Sequence, residues 1–61
     1  MRDVQYVVDE PSAEYSVSIN GVWPRFFNSL QNLLGFMAAE LTMQEILFAN
    51  RCDSLKDVSH V

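Results

Sequence analysis

Two runs near the start of the chain alternate with period two. Val4, Tyr6 and Val8 alternate with Asp3, Gln5, Val7 and Asp9, and then Tyr15, Val17 and Ile19 alternate with Glu14, Ser16, Ser18 and Asn20. β-Branched and aromatic residues at every second position mark a half-buried strand. Glu10-Pro11-Ser12-Ala13 lies between the runs, with proline at the turn position that suits its fixed φ. Closing the turn at Glu10 and Ala13 sets Val8 against Tyr15, Tyr6 against Val17 and Val4 against Ile19. All six then share one face, so turn and pattern agree on the register. Pro-Ser does not supply the positive φ of the favoured two-residue turns, so a longer loop in the same register is the alternative. The pattern predicts an antiparallel hairpin over about 3–20.

Asn20-Gly21 breaks the second run, and the period changes. Pro24 suits the first position of a helix, where its missing N–H costs nothing. Phe26, Leu30, Leu33, Leu34, Met37 and Leu41 follow at helical spacing, flanked by Phe27 and Ala38. This predicts a helix over about 24–41, its stripe lying on the apolar face of the hairpin. Gly35 weakens such a helix by about 1 kcal/mol relative to Ala, which suggests close packing there. Thr42 and Glu45 then form a T-x-x-E capping box, with Leu41 and Ile46 placed as a hydrophobic staple. A second helix over about 43–55 follows. One uninterrupted helix over 24–52 is the competing reading, and the tail over 57–61 is expected to fray. The fold class is therefore α+β, a hairpin packed on two helices in the order ββαα.

A chain of 61 residues makes one domain, and domains this small usually add disulfides, a metal or a partner subunit. Cys52 is the only cysteine and His60 the only histidine, so a partner is the remaining route. The second predicted helix is apolar on two sides. Met43, Ile46, Leu47 and Ala49 form one stripe, and Phe48, Cys52 and Leu55 form another. Two strands and two helices cover one stripe well. The other stripe predicts a homodimer through Phe48, Cys52 and Leu55, or completion of the core on a different protein. A tail folding back over it is the alternative.

The lone cysteine fits a reducing compartment, and the N-terminal residues hold no apolar run of signal-peptide length. The longest uncharged stretch, Phe26 to Ala39, is too short to span a bilayer and is interrupted by amides. A cytoplasmic protein without membrane contact is expected. Eight acidic residues against four basic ones give a net charge of -4, which disfavours nucleic acid and anionic membrane surfaces as partners.

Catalytic chemistry finds little support. His60 stands next to the last residue, and Cys52 lies on an apolar stripe, where a cysteine usually packs. Glu40 and Glu45 straddle the predicted helix break and read as a solvated rim. Two glycines cannot build a phosphate-cradling loop. The ligand spacings for zinc or calcium are absent. No enzyme activity, cofactor or metal is expected.

What remains is binding. The polar face of the first predicted helix carries Asn28, Ser29, Asn32, Gly35, Phe36 and Ala39, with charge only at Arg25 and Glu40. Such a face is either an ordinary surface or a contact surface, because interface cores are poor in charge and rich in aromatics. The first functional reading is a small acidic regulator or inhibitor of a larger protein, a device that recurs in viruses and would act in the host cytoplasm. Trp23, Arg25 and Phe36 are its candidate contacts. Asp9, Glu10 and Glu14 at the hairpin tip offer a sub-case, mimicry of nucleic-acid phosphates, against the plainer view that tips are charged for solubility. The second reading is a dimeric repressor of ribbon-helix-helix arrangement. There Glu14, Ser16, Ser18 and Asn20 would read bases, and the four scattered basic residues argue against it. A third is a small structural subunit of a larger assembly.

Overall fold

Alternation in the first twenty residues builds the centre of the molecule. In the computed structural model, which describes residues 1–56, β1 (Val4–Asp9) and β2 (Glu14–Ile19) pair antiparallel. Val4 faces Ile19, Tyr6 faces Val17 and Val8 faces Tyr15, the register that the pattern predicts. The Ala13 N–H donates to the Glu10 carbonyl at 3.1 Å, and Ala13 itself has φ 55°. The connection is thus a four-residue loop: a tight turn around Pro11-Ser12, then one left-handed residue that supplies the twist.

Asn20-Gly21 does more than end β2. Asn20 has φ 56° and Gly21 φ 74°, and the Val22 N–H donates to the Ile19 carbonyl at 3.2 Å. Two successive left-handed residues make the turn that reverses a chain between antiparallel strands. The chain returns as β3 (Arg25–Phe27), with Phe27 opposite Tyr15 and Arg25 opposite Val17. The helix expected from Pro24 therefore starts later, as α1 (Leu30–Glu40). Ser29 caps it, its hydroxyl accepting from the Asn32 N–H at 3.2 Å. Pairing along the free edge of β2 outweighs the helical spacing of Phe26 and Phe27.

The break at Thr42 is present. Thr42 caps α2 (Met43–Leu47), and both halves of the capping box are formed. The helix stops at Phe48, short of the predicted 55, because the following residues have a better use. Asn50–Arg51 forms β4, parallel to β1, with Asn50 opposite Gln5 and Arg51 opposite Tyr6. The Cys52 N–H donates to the Tyr6 carbonyl at 2.7 Å, and the Arg51 guanidinium to the Val8 carbonyl at 2.7 Å. A helix continued to 55 would leave those carbonyls unpaired. The sheet order is β3-β2-β1-β4, so the α+β class holds with four strands instead of two.

α1 lies on the predicted apolar face. Val4, Val17, Leu33, Met37 and Leu41 form the core, with Tyr6, Val8, Tyr15 and Ile19 packed against it. The opposite face, expected to meet solvent, is also buried. Val7 and Ser16 are fully enclosed there, and Ser18 and Glu14 nearly so. Leu55, 1% exposed, closes this side. Its N–H and the Ser54 hydroxyl both donate to the Glu14 carboxylate, while the Ser18 hydroxyl donates to the Val22 carbonyl. The expected tail at 57–61 lies outside the described residues.

Candidate functional site

The residues singled out for binding fall in four places. At the hairpin tip, Glu10 is exposed and Asp9 accepts from the Ser12 hydroxyl at 2.8 Å. Glu14 turns the other way. It is buried, holds Ser54 and Leu55, and has the Lys56 ammonium 3.9 Å away. The three carboxylates thus form no row.

Arg25 and Phe36 do come together, on the helix side of β3. The Arg25 guanidinium lies 5.5 Å from the Phe27 ring centre and 4.9 Å from that of Phe36, and the two rings are 5.3 Å apart. A cation over two aromatic faces is attracted to both, so Phe36 is half-buried in a small stack. Trp23 stays 74% exposed.

The residues expected at a dimer interface are divided. Leu55 is buried inside the chain, Cys52 is half-buried beside β1, and Phe48 is exposed. Of the set proposed to read bases, Glu14, Ser16 and Ser18 are buried, and the Asn20 side chain accepts from the Asp3 N–H at 3.0 Å.

A different surface stands out on α2. Met43, Ile46 and Leu47 occupy positions i, i+3 and i+4, which share one side of a helix, and Phe48 follows at its C-cap. Met43 and Leu47 are each 71% exposed and Phe48 68%. The inward side of α2 is polar. Glu45 is buried, and its carboxylate accepts from Arg2 Nε at 2.8 Å, Arg2 Nη2 at 3.0 Å, the Arg2 backbone N–H at 2.9 Å and the Thr42 N–H at 2.9 Å. Arg2 also donates to the Glu40 carbonyl at the end of α1. Bonding to the Arg2 guanidinium, then to the backbone of Thr42 and Arg2, holds the Glu45 carboxyl well below the ordinary glutamate range. This helix is therefore anchored by ions and exposes its apolar side, the reverse of the usual amphipathic arrangement. Spacing marks Met43, Ile46 and Leu47 as a stripe. It gives no sign that Arg2 takes the inward side.

A groove of about 330 Å³ lies between Val8, Asp9, Arg51, Cys52 and Asp53. Its walls are mostly polar, unlike the apolar lining of small-molecule sites, and Arg51 is committed to the Val8 carbonyl. No helix among the described residues is long and apolar enough to cross a membrane. Comparison with known protein families, with characterised proteins and with solved structures finds no match for this chain.

Proposed function

We propose that the chain acts by binding another protein, as a small regulator or inhibitor, and that the exposed side of α2 is its contact surface. One observation carries this reading: Met43, Ile46, Leu47 and Phe48 are all exposed within six residues, while the polar Glu45 among them is buried. Contiguous exposed apolar side chains mark interaction surfaces, and Gln44 and Asn50, both exposed, supply the polar border that such surfaces have. Phosphate mimicry is not part of the proposal, since Glu14 faces inward. Base reading by β2 is not either, since Ser16 and Ser18 are enclosed.

The test is capture from a lysate of the natural host, with the tagged chain and with a Leu47→Glu, Phe48→Ser variant. The wild type should retain one protein in near-equal amount, and the variant should lose it while keeping its circular dichroism spectrum and unfolding midpoint. Equal retention by both chains, or none by the wild type, overturns the proposal.

A further inference from the structure

We propose that the outer edge of β3, which no strand among the described residues pairs, pairs antiparallel with β3 of another copy of this chain, centred on Phe26, joining two four-stranded sheets into one. Hydrogen-bonded and non-hydrogen-bonded pairs alternate along an antiparallel ladder. The Asn20 N–H donates to the Asp3 carbonyl at 2.7 Å, which marks that pair as bonded and fixes the phase. Ser18, Ser16 and Glu14 then bond toward β1, while Tyr15 and Val17 bond toward β3, through Phe27 and Arg25. The same phase leaves the Tyr6 and Val8 carbonyls pointing away from β2, where Cys52 and Arg51 meet them. Phe26 therefore directs its N–H and C=O away from β2, toward the open side of the sheet. Its side chain, on the Ser16 side, is 51% exposed. An antiparallel neighbour centred on Phe26 satisfies both backbone groups at once and sets the two Phe26 rings directly opposite, a favourable cross-strand pair.

Symmetry points to a copy of the same chain as the occupant, since a pairing centred on Phe26 matches each strand to itself, and charge permits it. Between Glu14 and Glu40 the chain has no acidic residue, and Arg25 is its one charge there. The acidic excess lies wholly outside this segment, so two copies bring no carboxylates together along β3. There each Arg25 falls opposite the other copy's Phe27. The far edge of the sheet is less open, because β4 is two residues long and Arg51 caps the Val8 carbonyl beside it. Pro24 has no N–H and bounds the pairing on its side. Three paired residues make a weak dimer, visible only at high concentration.

Sedimentation equilibrium from the micromolar to the millimolar range tests this. The wild-type average mass should rise toward twice that of the monomer. Phe26→Pro should stay monomeric with an unchanged circular dichroism spectrum, since the N–H it removes is not used by β2. Another variant does not depend on proline being tolerated. Phe26→Cys in a Cys52→Ser background should oxidise to a linked dimer, because opposed residues of a bonded pair stand about 5.5 Å apart at Cα, within disulfide reach. Leu34→Cys in the same background should not. A wild type that is monomeric throughout overturns the proposal. So does a dimer that survives Phe26→Pro and is lost in Leu47→Glu, which would place self-association on α2.

Discussion

Gly35 sits on the exposed side of α1, and a Cβ there would meet no atom within 4 Å. The close packing suggested by a glycine in mid-helix is not present. Gly35→Ala should therefore stabilise the protein by about 0.5–1 kcal/mol, through helix propensity and a less flexible unfolded chain. A urea titration checks this, and a lower midpoint for the variant would contradict it. Gly21 is the opposite case. Its φ of 74° is one that side chains resist, and Asn20-Gly21 is legible as a turn from sequence alone. Phe26 is not legible in the same way, because its spacing to Leu30 fits a helix although the turn before it delivers it to a strand edge.

At the scale of elements, α2 shows which parts of a helix are local. Its start is readable, because the T-x-x-E cap is made within four residues. Its end is not, because it depends on carbonyls of β1 far away in sequence. The same holds for Arg2, whose hold on Glu45 no spacing announces. Since Glu45 is held below its ordinary range in the folded state, it contributes stability fully above that range. This contribution is lost as the pH falls through the ordinary range toward the lowered value. Glu45→Gln should thus destabilise the protein at neutral pH, and its deficit relative to the wild type should shrink in acid. Denaturant titrations at about pH 7 and about pH 3 measure the change. A deficit independent of pH would rule out the carboxylate as its source.

At the scale of the molecule, the sheet is covered on both faces, by α1 and by the stretch that holds Ser54 and Leu55. Period-two alternation predicts the α1 side and its register correctly. The other side reads as solvent-facing surface in the sequence because Glu14, Ser16 and Ser18 are polar. Glu14 and Ser18 are nonetheless buried through bonds to Ser54, Leu55 and Val22, and Ser16 is enclosed with them. Leu55→Ala should cost about 2–5 kcal/mol, the range for a truncated buried leucine. Leu47→Ala, on the exposed side of α2, should stay within about 0.5 kcal/mol of the wild type. Thermal unfolding of the two variants compares them directly, and equal losses would show that Leu55 is no more enclosed than Leu47.

Several bonds tie residues 45–55 to the first fourteen, among them Arg2 to Glu45 and Val8 to Arg51, each 43 residues apart, and Glu14 to Leu55, 41 apart. Closing a loop of that length costs chain entropy once. After one tie has formed, the others close at little further loss. The burden falls on the rate of folding, which slows as contacts become distant in sequence. The hairpin can form early and must then wait for the last strand to find β1. The amides of Cys52 and Leu55, bonded to different strands, should consequently open together, on one clock.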